Sequence, residues 1–544
     1  MRGATRAQLV VGATCIALAA TACSSGSSSS SSGGSSGSTA VTALWGIPQN
    51  SLMPGNTNEI NGGKVIQNIL TGLISYDPKT SAAIMENAKS ITTSDQQNFT
   101  VTLKPGLKFS DGTPVTSSSY VDAWNYAALA TNKQLNGSYF AIVKGYNALA
   151  PASGNPTATT MSGLRVVNPT TFTVALVAKN STWPQSLGFL GFDPLPASFF
   201  KNPAAWAKLP VGNGPYKISS YTVNQEMDLV PNPEYQGAQT PQNKGIDLKV
   251  YTDPTAAYAD LQSNKLDIDD TIPTSDLPNV KSDLDGRFIN TPSGTTAYIG
   301  FPLYQPDWST AQARQVRVGL SMAIDRATIS QKIFNDTVTP ATEFTNPVLG
   351  DAGGYKANLC GANCQYNPTK AKQLIDSAGG LPGGQMSIAY NSDGGNADWV
   401  NAVCNSINNT LGNNNACVGK PTTNFADLRN MITDKQLTSA FRTAWSMDWP
   451  LAVDFLEPLF TTNGAANDSH YSNANFDSLI NQANAASTTN QANTLLQQAE
   501  GQLVTDMPLI PLWYENSTAG YSANVSNVIM DGFKIPVYWA VNKK

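Results

Sequence analysis

The segment LKFSDGTPVTSSSYVDAW, Leu107–Trp124, contains a tight turn followed by the start of a helix. The turn is predicted at Ser110–Gly112, because Ser, Asp and Gly are the residue types that favour turns. Thr116 or Ser117 can cap the helix that we predict over Tyr120–Leu129.

Strand patterns lie on both sides of it. Val41–Ile47 is predicted to be a strand that Pro48 ends. Gln97–Phe109 alternates apolar and polar residues and breaks at Pro105-Gly106, which predicts a hairpin. Leu164–Leu176 predicts a second hairpin with Asn168-Pro169 at its turn.

Helical periodicity is clearest over Asn61–Leu73 and over Ala311–Phe334, which we predict as the longest helix. The remaining predictions are strands over Ile246–Thr252 and from Lys265, and helices over Ala256–Ser263, Pro368–Gly379, Phe476–Ala485 and Thr489–Leu503. Strands that alternate with helices favour α/β lobes over a β-sandwich. We detect no internal repeat.

Composition sets outer limits on function. The chain has 544 residues, and its 38 acidic and 33 basic residues give a net charge of -5. No basic surface is therefore predicted, and we expect no nucleic-acid partner. The length corresponds to roughly three domains of ordinary size.

The N-terminus has the layout of a secretory signal. Arg2 and Arg6 precede the apolar run Ala7–Ala20, and small residues then lead to Cys23. This arrangement resembles a bacterial lipobox, which implies cleavage before Cys23 and a lipid on its sulfur. A plain secretory signal is the alternative. The Ser/Gly tract Ser24–Ser38 predicts a flexible tether.

Four cysteines follow the signal region, namely Cys360, Cys364, Cys404 and Cys417. An even number in an oxidising compartment predicts two disulfides. We favour pairing within 360–364 and within 404–417, which is one of three possible connectivities. A zinc site is the rival interpretation, but His470, the only histidine, has no cysteine near it in sequence.

Catalytic motifs are missing from the sequence. There is no Gly-x-Ser-x-Gly elbow, His-Glu-x-x-His motif, phosphate loop or dinucleotide fingerprint. His470 lies in a polar stretch typical of a solvated loop. Paired carboxylates have no fixed spacing, so a hydrolase remains an open alternative. We expect no enzyme, no metal and no cofactor.

Several segments, taken in order, resemble family 5 of the solute-binding proteins of ABC importers, which includes the oligopeptide and dipeptide binders. The segments are Leu107–Trp124, LPVGNGPYKISSY at Leu209–Tyr221, VRVGLSMAIDRATI at Val316–Ile329, and the shorter PNPEY, DPTAAYADLQSNKLDI and HYSNANFDSLI. They extend over nearly the whole mature chain. Phe301–Leu303 departs from the family pattern, because Pro302 stands where the family usually has Asn.

The resemblance implies the fold: α/β, with two lobes of the type II periplasmic-binding-protein kind and an extra subdomain inserted in lobe I. The boundaries we expect are a signal peptide over 1–22, a lipidated Cys and tether over 23–40, lobe I over 41–300 with its insert at about 75–205, lobe II over 301–510, and a return to lobe I over 511–544. Gly112, Gly212 and Gly214 are expected to serve turns. Asp325 and Arg326 are expected to pair near their own helix.

A candidate site lies in TAWSMDWPLAVDF, Thr443–Phe455. It resembles a family segment whose Asp takes the α-ammonium of a peptide, which implies that role for Asp448. A carboxylate among apolar groups needs a partner, and an ammonium supplies a charge-assisted hydrogen bond. Trp445 and Trp449 would wall the site, with core packing as the alternative. Asp448 could instead cap a helix beside Pro450.

Two tyrosines complete the predicted ligand contacts. Tyr139, in LNGSYF, resembles a family position that faces the cleft, and Tyr514 lies where the chain returns to the hinge. Aromatic packing is the alternative for both. Arg442 is the nearest candidate for the peptide carboxylate, with a surface charge as the alternative.

The implied function is capture of short peptides between closing lobes and delivery to ABC permease subunits. The protein is expected to be a monomer, outside the cytoplasm, held at the outer face of the membrane by lipid on Cys23. Alternatives within the family are another solute, such as an oligosaccharide, a metal chelate, haem or an antibiotic, and a peptide-sensing receptor.

Overall fold

The computed structural model describes residues 40–392, 395–462, 464 and 466–544. Up to residue 300, the strands and helices are β1 (Val41–Trp45), α1 (Ile60–Ile69), β2 (Ile74–Tyr76), β3 (Ala83–Met85), β4 (Ala88–Thr93), β5 (Asn98–Leu103), α2 (Ser117–Ala128), α3 (Tyr146–Leu149), β6 (Leu164–Asn168), β7 (Thr171–Ala175), α4 (Trp183–Ser186), α5 (Ala197–Lys201), α6 (Pro203–Trp206), β8 (Tyr216–Thr222), β9 (Glu226–Pro231), β10 (Ile246–Val250), α7 (Pro254–Gln262), β11 (Ile268–Asp269), α8 (Val280–Asp283) and β12 (Phe288–Gly300).

The later part of the chain is richer in helices. Its elements are α9 (Pro306–Ser309), α10 (Ala311–Met322), α11 (Arg326–Phe334), β13 (Val338–Pro340), α12 (Pro368–Ser377), β14 (Met386–Asn391), α13 (Ala397–Leu411), β15 (Cys417–Thr422), α14 (Phe425–Thr433), β16 (Ala440–Ser446), α15 (Ala452–Phe460), α16 (Ala474–Asn484), α17 (Thr489–Asp506), β17 (Leu509–Tyr521), β18 (Val525–Ser526) and β19 (Asn542–Lys543).

The largest sheet has eleven strands and contains strands from early and late parts of the chain. Its order is β15-β14-β16-β12-β17-β11-β1-β10-β9-β8, with β13 paired to β17. β12 and β17 lie between the late strands and the early ones. Each has 13 residues, and they pair antiparallel along their length. These two strands therefore join the two halves of the molecule.

A separate four-stranded sheet, β4-β5-β7-β6, carries its own hydrophobic core. Trp124 on α2 lies at the centre of that core and makes edge-on ring contacts with Phe172, Trp183 and Phe192. Its indole N–H donates to the carbonyl of Phe192 at 2.9 Å. The capped helix of the signature segment thus anchors a substructure that holds one wall of the cavity described below.

The helix predicted over Ala311–Phe334 is wrong as a single element, because the structure has two helices there, α10 and α11. Asp325 breaks the run by capping α11: its carboxylate accepts the N–H of Thr328 at 3.1 Å. Its own N–H donates to the Ser406 hydroxyl at 3.0 Å. The buried guanidinium of Arg326 donates to backbone carbonyls. Both residues serve the scaffold, as expected.

The hairpin predicted at Pro105-Gly106 is also wrong. β5 pairs with β4 on one side and with β7 on the other, so neither of its edges is free for a following strand. The chain after β5 instead closes a small loop in which the N–H of Val115 donates to the carbonyl of Leu107 at 2.9 Å. The second hairpin, β6 with β7, is confirmed.

Close packing, not a turn, explains two of the three signature glycines. Gly112 does lie in a turn, with φ of 82°. A Cβ atom on Gly212 would lie 1.8 Å from the carbonyl oxygen of Ile69, and one on Gly214 would lie 2.6 Å from the Ile69 carbonyl carbon. No side chain fits at such distances, so these residues let one segment lie directly against the end of α1.

The structure joins Cys360 to Cys364 and Cys404 to Cys417 through disulfides. Within the described ranges, no group of three or more His, Cys, Asp and Glu side chains could hold a metal ion. In the same ranges, none of the helices is long and apolar enough to span a membrane. The predicted signal, Cys23 and the tether lie outside the described residues.

Candidate ligand-binding site

The turn after β16 carries Asp448. β16 ends at Ser446, and α15 begins only at Ala452 with Leu451 as its N-cap. Asp448 therefore does not cap this helix, and that alternative is wrong. The residue instead lies in the connection between β16 and α15, and its side chain is half-buried.

A second carboxylate fixes this turn. Asp454, in the first turn of α15, is 0% exposed. One of its oxygens, Oδ2, accepts the backbone N–H of Asp448 at 2.9 Å and the indole N–H of Trp445 at 3.2 Å. Asp454 thus positions both residues. Sequence analysis missed it, although it is a further acid in the same apolar stretch.

Tyr139 contacts Asp448 from a distant part of the chain. It lies in a 3₁₀-helix, Leu135–Ile142, beside the core of the four-stranded sheet. Its hydroxyl donates a hydrogen bond to Oδ2 of Asp448. Its ring packs 4.6 Å from the ring of Phe189 and 6.0 Å from that of Trp449. The contact joins parts of the chain that are 309 residues apart.

Trp449 lies between the two largest cores. It is partly buried and packs against both the core of the late strands and helices and the core of the four-stranded sheet. Trp445 is also partly buried, but it packs against the first of these alone. The structure therefore brings Asp448, Tyr139 and Trp449 together, with Trp445 behind them.

Burial dominates the electrostatics. It raises the pKa of Asp448 to about 7, although the hydrogen bond from Tyr139 acts in the opposite direction. Burial, together with the neighbouring Asp448, raises the pKa of Asp454 well above its usual range. Two adjacent carboxylates in an apolar setting resist simultaneous ionisation. A cation next to Asp448 would lower the pKa of Asp448 and so stabilise its ionised form.

A cavity of about 310 Å³ opens beside Asp448. It is enclosed by α1 and the segment after it, by residues 188–190 and 193, by residues 446–448, and by residues 531–539 near the C-terminus. The volume is at the lower end of the range for small-molecule sites. Asp448 is the one predicted contact residue that lines it, since Tyr139, Trp445, Trp449 and Tyr514 do not.

Tyr514 lies apart from this cluster. It is 4% exposed on β17. Its hydroxyl donates to the carboxylate of Glu343 at 2.7 Å and accepts the N–H of Thr342 at 3.0 Å. Burial raises its pKa above the usual range, with Glu343 adding to the effect. Its hydroxyl is thus engaged inside the protein, and its contact with a ligand stays a prediction.

Arg442 lies on β16 with its Nε donating to the Asn391 side chain at 2.9 Å. Its guanidinium lies 5.4 Å from the ring centre of Phe425. It does not line the cavity at Asp448.

Comparison with known proteins gives consistent matches. The family model described as bacterial extracellular solute-binding proteins, family 5 Middle, matches residues 83–467. The oligopeptide-binding protein OppA of Bacillus subtilis is 24% identical over 499 residues, covering 89% of this chain and 88% of that protein. Heme-binding protein A of Haemophilus influenzae is 23% identical over 469 residues, covering 82% of each.

Solved structures agree on the architecture. Haemophilus influenzae OppA in complex with RPPGFSPFR matches with a TM-score of 0.77 and 19% identity, over 93% of this chain and 99% of that one. At this identity the likeness establishes the fold alone, and it confirms the predicted two-lobed α/β architecture of the type II periplasmic-binding-protein kind.

Proposed function

The chain belongs to family 5 of the bacterial extracellular solute-binding proteins, and on this premise we propose that it captures short peptides in the cavity at Asp448 and delivers them to an ABC permease. Proteins of this family act outside the cytoplasm. One observation carries the peptide proposal, namely the carboxylate of Asp448 at the edge of a cavity, held by groups from two distant parts of the chain.

The α-ammonium of a peptide is the cation that this geometry suits. Tyr139 occupies Oδ2 of Asp448, which leaves Oδ1 for a donor from the ligand. The site is largely desolvated, so a charge-assisted hydrogen bond there is stronger than one in water. Because Tyr139 meets both Asp448 and Trp449 from the other side of the cleft, a ligand that fills the cavity would stabilise this closed arrangement.

The test compares the binding of a free peptide with that of its N-acetylated form to the purified protein, measured by calorimetry. Asp448→Asn should weaken binding of the free peptide by about 30- to 1,000-fold, because removing one partner of a desolvated charge pair costs about 2–4 kcal/mol. N-acetylation should have a similar effect on the native protein. The matched control is Asp398→Asn, since Asp398 is exposed on α13. Equal binding of both peptide forms would refute the role of Asp448.

A non-peptide solute is the second candidate, because a relative of similar identity is named for binding heme. Mass spectrometry of the small molecules released on denaturing the purified protein separates the two. Short peptides with free amino termini support the proposal, whereas a single non-peptide compound contradicts it.

We also propose that lipid on Cys23 anchors the protein at the outer face of the membrane, with the Ser/Gly tract as a tether. The sequence pattern supports this. Labelling of cells with a fatty-acid analogue should mark the native protein and not Cys23→Ser, which should be released into the medium. Retention of label by the variant would contradict it.

A further inference from the structure

The charged side chains in the described lining of the cavity at Asp448 are all acidic. Glu59, Asp193, Asp448 and Asp531 line it. Its described lining includes no Lys, Arg or His side chain. Carboxylates that leave water without a cation are costly, so each needs a partner or a function.

Three of the four have partners within the protein. Glu59 caps α1, accepting the N–H groups of Asn61 and Gly62 at 2.7 Å each. Asp531 accepts two backbone N–H groups on its Oδ1, both at 2.9 Å. Asp448 accepts the Tyr139 hydroxyl.

Asp193 is the exception. Its side chain is 5% exposed, and among the described residues nothing donates to its carboxylate or forms an ion pair with it. The residue follows a short 3₁₀-helix, Leu190–Phe192, and its Oδ1 lies beside Gly72, which also lines the cavity. Burial alone raises its pKa well above the usual range. An almost buried carboxylate without a partner, in the wall of this cavity, is unsatisfied until a bound group supplies a donor.

We propose that Asp193 is a second cation subsite, which takes the positively charged side chain of a basic residue near the amino terminus of the peptide. This rests on the proposed function, in which Asp448 takes the α-ammonium. Because Asp193 and Asp448 line one cavity of about 310 Å³, a single ligand with two positive charges can reach both. Leu190 and Phe189 offer apolar contact to the aliphatic stem of a Lys or Arg side chain.

The preferred solutes are then peptides that begin with Lys or Arg. A neutral side chain at that place would leave Asp193 unsatisfied, and an acidic one would add a like charge. The described part of the lining offers no cation for a carboxylate, so we expect the carboxyl end of the peptide to lie beyond this cavity.

The test compares Lys-Ala-Ala with norleucyl-Ala-Ala, which has a side chain of similar length and no charge, by calorimetry on the full chain. Lys-Ala-Ala should bind about tenfold more tightly or better, the usual value of a hydrogen bond to a charged group. In Asp193→Asn this ratio should fall to about one, with the affinity for norleucyl-Ala-Ala little changed. Asp398→Asn should keep the native ratio.

The outcomes separate the subsite from the proposed function. An unchanged ratio in Asp193→Asn, or a ratio of about one in the native protein, overturns the subsite while peptide binding stands. If neither peptide binds but 1,4-diaminobutane does, and Asp193→Asn weakens it, the subsite stands and the peptide proposal fails. Absence of binding by all three probes overturns both. If Asp193→Asn does not fold, as a melting curve would show, the ratio in the native protein decides.

Discussion

Asp448→Asn should stabilise the ligand-free protein at neutral pH while it abolishes tight binding. An acid with a raised pKa in the folded state has no effect on stability below its unfolded pKa, here 3.8. As the pH rises, the unfolded state ionises first, and stability falls until the folded pKa of about 7 is reached. The difference of about 3 units corresponds to roughly 4 kcal/mol, because one unit is worth 1.36 kcal/mol.

An amide of the same shape removes this loss. We expect the variant to be more stable than the native protein by only about 0.5 kcal/mol near pH 4, and by about 2–4 kcal/mol at pH 7.5. The lower limit allows for the altered hydrogen bond with Tyr139. Loss of the neighbouring charge also relieves Asp454, which acts in the same direction.

The assay is the urea midpoint of ligand-free protein at half-unit steps from pH 4 to pH 8. Other buried acids with raised pKa values, Asp531 and Glu500 among them, give both proteins a common slope of the same sign, so the difference between the two curves is the informative quantity. Asp398→Asn serves as the control. Parallel curves for Asp448→Asn and the native protein would refute the claim that burial raises the pKa of Asp448.

Two further substitutions test the packing around the site. Tyr139→Phe keeps the ring contacts but removes the hydroxyl that binds Asp448, so peptide affinity should fall by about 1–2 kcal/mol in calorimetry; an unchanged affinity would show that the hydroxyl is dispensable. Gly212→Ala should lower the free energy of unfolding by about 3 kcal/mol or more, because its Cβ would lie 1.8 Å from the Ile69 carbonyl oxygen. Gly112→Ala, where nothing lies within 4 Å, should cost only about 1 kcal/mol of positive-φ strain, and similar melting curves for the two variants would contradict this contrast.

Sequence patterns predicted helices, caps and hairpins correctly where interactions between residues close in sequence determine them. The Thr116 cap, the β6–β7 hairpin and the α16 and α17 helices follow from turn chemistry and periodicity. Tertiary contacts decided the failures. The β5 hairpin fails because strands remote in sequence occupy both edges of β5, and the long helix splits because Asp325 caps its second half.

The same division holds at the site. An isolated acid among apolar residues drew attention to Asp448, and the structure places it at the cavity with Tyr139. The same pattern occurs in GFLGFDPLP, where Asp193 is the only charged residue among apolar neighbours, so it also indicates Asp193. The environment of Tyr514 could not be predicted, since no sequence pattern reveals that its hydroxyl donates a hydrogen bond to Glu343.

The continuous sheet through β12 and β17 has a mechanical consequence. The strands of both halves belong to one hydrogen-bonded sheet, so the two halves cannot rotate freely relative to each other. Opening of the halves would change the twist between β12 and β17, and it should concentrate where their register is interrupted, between Pro292 and Thr295 and between Ala297 and Tyr298. The connection thus favours one angle between the halves, and part of the binding free energy of a solute is used to change that angle.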